Sequence, residues 1–221
     1  MAIAFDAWTN GGAASATSLT FSHTTTGSNR YLVVVVRSEV GGDSVTGVTY
    51  AGTSMTRAIA KAWFPNNNNW VYLYYLPNPA SGANNVVISS SDTNQKTGGA
   101  SSYTGAVQSG TPDTAFYSAS DVAGDFSVTV NVTTANSWLV ETYVSADANP
   151  TAAVNGTVRS ATAGSNTSLV DSNAAVGSGN QTIGYTWDAA DRHVILGLAF
   201  APAAGGGAVA VAPTLLTLGV G

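Results

Sequence analysis

The chain has 221 residues and a formal net charge of −5 at pH 7, and only 9% of its residues are charged, against roughly 25% in an ordinary soluble domain. Its seven Lys and Arg residues form no cluster. Because a groove that follows nucleic-acid phosphates needs clustered positive charge, the composition argues against nucleic-acid binding. The absence of Cys excludes disulfides, thiolate metal sites and cysteine nucleophiles.

The beginning of the chain does not resemble an export signal. Residues Met1–Asp6 lack a basic region followed by an apolar run. No stretch reaches the ~18 apolar residues of a membrane-spanning helix, so we expect no membrane association. Release by cell lysis, another export route and a leader missing from these residues are the three explanations left open, and an extracellular or cell-surface location is one expectation.

The central element is predicted at Arg30–Arg37, where six apolar residues lie between two Arg residues. Four of the six are Val, which predicts a strand buried on both faces, with each Arg where the strand meets water. Ala2–Trp8 and Ser18–Ser22 predict earlier strands. Val45–Tyr50 predicts the next strand, with a bulge at Gly47.

The following segments continue the pattern. Met55–Trp63 fits either a strand or one to two helical turns, and the short glycine connection before it favours the strand. Trp70–Leu76 is the second long apolar run, Asn85–Ser89 predicts another strand, and Ser90–Gly99 predicts a polar loop. In the second run, period-two alternation places Trp70, Tyr72, Tyr74 and Leu76 on one face and Val71, Leu73 and Tyr75 on the other.

The second half of the chain also predicts strands. Phe126–Val132 alternates cleanly and is expected to pair with Trp138–Val144 through the turn Thr134–Asn136. Two later strands are predicted at Gln181–Trp187 and Arg192–Phe200. Short strands are predicted at Val158 and at Leu169–Val170.

About a dozen short strands without a long helix predict an all-β fold. The expected architecture is an antiparallel two-sheet β-sandwich, jelly-roll-like, over residues 1–200. Residues 201–207 predict a Gly/Ala/Pro linker, and residues 208–221 form an apolar tail. The tail is either a last strand of its own sandwich or an arm that lies on a neighbouring subunit. The side chains of such an assembly arm would be Val209, Val211, Pro213, Leu215, Leu216 and Leu218.

A search for catalytic and metal-binding patterns gives no candidates. The two His residues, His23 and His193, lie on separate strands, and Asp188 and Asp191 beside His193 predict a turn rather than a metal site. No G-x-S-x-G motif is present. Of the only two Glu residues, Glu141 lies mid-strand with unclear alternation, and a solvent-facing side chain is one interpretation. We therefore predict no catalytic residue, no metal and no cofactor.

Aromatic side chains offer a carbohydrate-binding alternative. Trp and Tyr rings on an exposed sheet can stack on sugar rings, although the core of a sandwich also needs large aromatic residues. The candidate sugar-facing residues are Trp63, Trp70, Tyr72, Tyr74 and Trp187.

Four segments carry a resemblance to a known kind of domain. These are Asn29–Val35, Val45–Thr56, Val71–Pro79 and Gly82–Ile88. Their order resembles a β-sandwich domain of tailed-phage structural proteins and some bacterial surface proteins, from about residue 28 to residue 110, half the chain. The resemblance implies a structural role and supplies no catalytic residues.

The expected function is therefore that of a non-enzymatic structural protein of a virus particle. A capsid decoration or head-associated protein, forming a homo-oligomer and contacting other virion proteins, fits the low charge and the apolar tail. The alternative is a carbohydrate-binding β-sandwich module on a phage fibre or a bacterial surface, which would bind glycans.

Overall fold

The computed structural model of the chain describes residues 1–62, 69–120, 126–145, 150–159, 168–187 and 193–204. Within these ranges every regular element is a β-strand, and the strands pair antiparallel in every ladder. The all-β, antiparallel prediction is confirmed. The strands form four sheets, where two were predicted.

Nine strands come from the first half of the chain. They are β1 (Ala4–Ser15), β2 (Ser18–Thr25), β3 (Tyr31–Ser38), β4 (Val45–Tyr50), β5 (Thr53–Ser54), β6 (Thr56–Ala62), β7 (Trp70–Pro77), β8 (Gly82–Ser90) and β9 (Gln95–Thr104). The strand prediction for β6 is confirmed, and the bulge predicted at Gly47 coincides with a register shift between Val45 and Gly47.

Eight strands come from the second half. They are β10 (Thr114–Ser120), β11 (Phe126–Val132), β12 (Trp138–Ser145), β13 (Pro150–Val154), β14 (Thr157–Val158), β15 (Ser168–Asp171), β16 (Gly179–Trp187) and β17 (His193–Phe200). The short strands predicted at Val158 and Leu169–Val170 are β14 and β15.

Strand β3 is buried on both faces, as its sequence predicts. Its six apolar residues are at most 1% exposed. Tyr31, Val33 and Val35 belong to one core cluster, and the residues between them belong to another. The prediction that Arg37 meets water is wrong, because its side chain is only 12% exposed and pairs with Glu39.

The four sheets stack as layers, with a core cluster between each neighbouring pair. The order is an outer sheet β2-β8-β4-β5, an inner sheet β1-β9-β3-β7-β6, a second inner sheet β10-β17-β12-β15-β14 and a second outer sheet β11-β16-β13. The first and third cores each join an outer sheet to its inner sheet. The middle core joins the two inner sheets. The chain is thus two sandwiches packed face to face.

The two sandwiches have the same strand order. We call residues 1–105 unit 1 and residues 106–204 unit 2. In each unit the first strand pairs with the last, and the third strand lies next to the last in the same inner sheet. The strands β1, β9, β3 and β7 of unit 1 thus correspond to β10, β17, β12 and β15 of unit 2. In the outer sheets, β2-β8-β4 corresponds to β11-β16-β13. The chain therefore contains an internal structural repeat.

Local features repeat as well. The pattern Thr-x-x-Asn-x-aromatic-Leu-Val occurs at Thr26–Val33 and at Thr133–Val140, where it leads into β3 and β12. In both copies the Asn has a positive φ, 51° at Asn29 and 65° at Asn136, a conformation that Asn tolerates better than most residues. Both units also carry a register shift at the same place, in β4 and in β13.

The two units meet through aromatic packing and a short backbone contact. Tyr31 of unit 1 stacks on Phe200 of unit 2 with ring centroids 4.6 Å apart. An antiparallel bridge joins Ala106 to Pro202. The hydrogen bonds from Val107 N to Ala201 O and from Ala203 N to Gly105 O lie on either side of that bridge. An antiparallel bridge has local two-fold symmetry, so the equivalent ends of the units meet at a local two-fold axis.

The predicted hairpin between Phe126–Val132 and Trp138–Val144 is wrong. Strand β11 pairs with β16 in the outer sheet, whereas β12 pairs with β15 and β17 in the inner sheet. The Thr134–Asn136 turn therefore carries the chain from one layer to the next. Sequence adjacency favoured a hairpin, but both faces of β12 are apolar enough to require an inner layer.

The predicted polar loop at Ser90–Gly99 is also wrong over its second half, which belongs to β9. Lys96 is fully buried, and its ammonium group donates to the Asp92 carboxylate at 2.9 Å. A Cβ added at Gly99 would lie 2.4 Å from the Trp8 ring. This strand is polar and glycine-rich because large neighbouring side chains occupy the space above it.

A solvent-facing Glu141 is likewise excluded, because the side chain is 0% exposed. Its neighbours at two-residue spacing, Leu139 and Tyr143, belong to the core between the inner and outer sheets of unit 2. An inner sheet has no wet face, so mid-strand β12 has no direction that leads to water.

Candidate functional site

The predicted sugar-facing aromatic residues are not a cluster of exposed rings. Tyr72 and Tyr74 are 0% and 3% exposed and belong to the core of unit 1, and Trp70 packs against that core. The Tyr72 hydroxyl accepts a hydrogen bond from the Ser44 amide at 3.0 Å. Tyr72 and Tyr74 therefore offer no open face for stacking on a sugar, and Trp70 is half-buried. Trp63 and the side chain of Trp187 lie outside the described residues.

One of these residues does line a groove. This lateral groove, of about 740 Å³, lies along the side of unit 1, where β4 and β5 of the outer sheet approach β6 of the inner sheet. Arg57 donates two hydrogen bonds to the Asp43 carboxylate, at 2.8 and 3.1 Å, inside the groove. Burial raises the pKa of Tyr74, whose ring edge contributes to the wall.

A group of polar and titratable side chains lies where β1, β2 and β9 meet. Ser102 Oγ donates to the Asp6 carboxylate at 2.7 Å. The Thr26 amide also donates to Asp6, at 2.8 Å. His23 Nδ1 is hydrogen-bonded to Thr9 Oγ1 at 2.8 Å. Serine, carboxylate and imidazole are thus near one another, but in an arrangement different from that of a hydrolase.

The geometry of this group indicates a structural role. Catalysis by serine requires the hydroxyl to donate to the imidazole, and Ser102 donates to Asp6 instead. Burial lowers the pKa of His23 to about 4, although the Asp6 carboxylate opposes the shift. Burial acts to raise the pKa of Asp6, and the hydrogen bonds from Thr26 and Ser102 outweigh it and lower that pKa. Asp6 therefore fixes the loop before β3.

Unit 2 contains the matching contact. Asp113 accepts hydrogen bonds from the amide and hydroxyl of Thr133, and the spacing of 20 residues equals that between Asp6 and Thr26. The same carboxylate accepts from the Thr134 hydroxyl at 2.7 Å. In both units a carboxylate at the start of the inner sheet holds the loop between the second and third strands.

A third polar group connects the two units. Arg159 donates to both oxygens of the buried Asp171 at 2.8 Å, and the Tyr103 hydroxyl of unit 1 donates to the same carboxylate at 3.1 Å. The guanidinium carbon of Arg159 lies 4.1 Å from the centre of the Phe5 ring. Burial raises the pKa of Asp171, and these donors offset part of that shift. Sequence patterns do not reveal this group, because Tyr103 and Asp171 are 68 residues apart along the chain.

A second groove lies at the end of the molecule where the described chain stops. This end groove has a volume of about 810 Å³ and contains no charged side chain. Trp138 and Ile3 form part of its floor, and Ala204, the last described residue, lies on its rim. The other lining residues are Met1, Ala2, Val107, Thr134, Asn136, Asn173, Ala174, Ala175, Pro202 and Ala203.

The remaining predicted site residues fall outside the structure's described ranges. The assembly-arm residues Val209–Leu218 are among these, and so are Asp188 and Asp191. Among the described residues, no three His, Asp or Glu side chains are grouped so that they could hold a metal ion. In the same part of the chain, no helix is long and apolar enough to cross a membrane.

Comparison with known proteins adds no family assignment. No protein-family model matches the chain. No curated protein matches it either. The lateral groove, the end groove and the internal repeat are the structural features that bear on function.

Proposed function

We propose that this protein is a non-enzymatic structural protein of a virus particle. It is a capsid decoration or head-associated protein that forms homo-oligomers and contacts other virion proteins. Its C-terminal tail, residues 208–221, is the contact element. This proposal combines the resemblance over residues 28–110 with the charge-poor composition, the end groove and the apolar tail.

The strand order supports a relation of each unit to jelly-roll proteins. A jelly roll wraps its strands as two Greek keys, so that the first strand pairs with the last, the second with the one before it, and so on inward. Unit 1 contains the nested pairs β1–β9, β2–β8 and β3–β7. Unit 2 contains β10–β17, β11–β16 and β12–β15 in the same nesting. We include a jelly-roll origin of both units in the proposal.

The observation that carries the proposal is the position of the end groove relative to the tail. Ala204 lies on the rim of a groove that contains no charged side chain, and the sequence then continues with Gly205–Gly207 and an apolar segment without a charged side chain. Apolar surface of this kind is stabilised when it is removed from water. In this proposal, contact between copies of the chain covers both surfaces.

The mass of the full-length protein in solution tests the proposal. We expect a defined oligomer by sedimentation equilibrium, and we expect the variant Leu215→Asp/Leu216→Asp to be a monomer. The matched control Leu215→Ile/Leu216→Ile keeps the apolar volume and should keep the oligomer. A full-length chain that remains monomeric at every concentration would contradict the proposal.

The lateral groove favours one alternative function, carbohydrate binding. Arg57 and Asp43 place several hydrogen-bonding atoms beside the edge of the Tyr74 ring, and sugar hydroxyls bind to such groups. A glycan array probed with the full-length protein tests this alternative. Binding that is lost in Arg57→Ala would support it, and an array without any binding would remove it.

A further inference from the structure

The two units differ at one corresponding corner, where unit 2 has the end groove. In unit 1, Arg30 fills this corner, donating hydrogen bonds to Pro79 O at 2.9 Å and to Gly27 O at 2.7 Å. Gln108 closes the opening by donating to Arg30 O at 3.1 Å. Two long polar side chains thus cover the end of the first sandwich.

The internal repeat identifies the residues that replace them. Tyr31 and Trp138 each begin the third strand of their unit, so Ser137 stands where unit 1 has Arg30. Ser137 keeps only the local contact, a hydrogen bond from its hydroxyl to Thr134 O at 2.7 Å. It cannot reach across the corner.

The strand registers identify the other replacements. Tyr31 pairs with Tyr103 and Trp138 pairs with Phe200, so Ala204 stands where unit 1 has Val107, and Gln108 corresponds to Gly205, which lies outside the described residues. Val33 pairs with Tyr75 and Val140 pairs with Asp171, which places Ala175 in register with Pro79. The short side chains of Ala175 and Ala204 line the groove.

We propose that the end groove is the acceptor site for the C-terminal segment, residues 208–221, of a neighbouring copy of this chain. The inference rests on the proposed function, and it names the surface to which the tail binds. The chemistry matches because neither the groove lining nor the segment contains a charged side chain. The groove volume is within roughly the 300–1,000 Å³ of pockets that hold drug-sized ligands, which is room for several apolar side chains.

The connection between the groove and the tail is flexible. Three glycines separate Ala204 from the apolar segment, and a glycine-rich connection acts as a flexible coil. Five residues lead from Ala204 to Val209, and they span at most about 18 Å when extended. The first apolar side chains of the segment can therefore lie up to about 18 Å from Ala204, where a copy that packs against this end of the molecule can bind them.

Because the chain contains no Cys, disulfide trapping can test the contact without background. Full-length Ala175→Cys, on the exposed wall of the groove, is mixed with full-length Leu216→Cys under mild oxidation. We expect a disulfide-linked heterodimer that forms roughly tenfold or more faster than with Tyr117→Cys, because binding raises the local thiol concentration. Tyr117 is 53% exposed and lies away from the groove on β10, so it is a suitable control.

The outcomes separate the inference from the proposed function. Equal rates for the groove and control variants, with an intact oligomer by sedimentation, would overturn the acceptor site while leaving the structural role in place. A disulfide that forms only within one chain, in Ala175→Cys/Leu216→Cys, would overturn the exchange between copies. A monomeric full-length chain would overturn both.

Discussion

Glu141 should make the protein less stable as the pH rises towards neutrality. Its side chain is 0% exposed, and neither carboxylate oxygen has a hydrogen-bond partner among the described residues. Burial raises the pKa of Glu141 well above its ordinary value, since a charge is poorly solvated in an apolar core. The folded protein therefore holds a proton here that the unfolded chain releases.

The sign and the size of the effect follow from this difference. Below the pKa of about 4.3 that Glu has in the unfolded chain, the raised pKa in the folded protein does not lower the free energy of unfolding. Above that pH the free energy of unfolding falls as the pH rises. Keeping the carboxyl protonated at pH 7 costs at most about 4 kcal/mol, which is 1.36 kcal/mol for each pH unit above the ordinary pKa. The substitution Glu141→Gln has nearly the same shape and does not titrate.

Urea unfolding followed by Trp fluorescence measures the prediction. We expect Glu141→Gln and the wild type to have similar free energies of unfolding at pH 4. At pH 7 the variant should be more stable, by about 1–4 kcal/mol. Glu39→Gln, at the other Glu of the chain and 40% exposed, should change stability by less than about 1 kcal/mol. A variant that is less stable at pH 7, or a difference that does not depend on pH, would refute the reasoning.

Two further substitutions test the polar groups that fix the units. Arg159→Ala leaves the buried Asp171 without its cation and should lower the free energy of unfolding in urea by about 3–5 kcal/mol. The double variant Arg159→Met/Asp171→Leu should recover most of that loss. A loss below about 1 kcal/mol in Arg159→Ala would disprove a buried ion pair. Asp113→Asn weakens the contacts to Thr133 and should cost about 1–2 kcal/mol. Burial acts to raise the Asp113 pKa, but the hydrogen bonds from Thr133 and Thr134 outweigh it and lower that pKa. Because the pKa is lowered in the folded state, the stability from these contacts is present above about pH 4 and is lost as the pH falls. An equal loss of unfolding free energy in Asp113→Asn at pH 2.5 and pH 7 would argue against this role.

The strand faces could be predicted because they depend on local alternation. In β7 the residues Val71, Leu73 and Tyr75 enter one core, and Tyr72 and Tyr74 enter the other, as period-two spacing requires. The double burial of β3 followed from its unbroken Val run. These features need no knowledge of which strands are neighbours.

The candidate sites could not be predicted in the same way. Tyr72 and Tyr74 fit a sugar-binding face and a core equally well from sequence, and only the layer outside them places them in the core. The end groove depends on short side chains in its lining, among them Ala174, Ala175 and Ala204. Small residues do not by themselves predict a groove. The groove becomes apparent only when the structure shows the corresponding corner of unit 1 filled by Arg30.

The sequence by itself determined an all-β, antiparallel, charge-poor protein, because composition, β-branching and alternation act between residues close in the chain. The tertiary structure decided that β11 and β12 separate into different layers, that the strand order of unit 1 recurs in unit 2, and that Glu141 lies between two sheets. Strand pairing joins segments far apart in sequence, and its register is fixed by the burial of both faces at once. That information exists only when all four sheets are stacked.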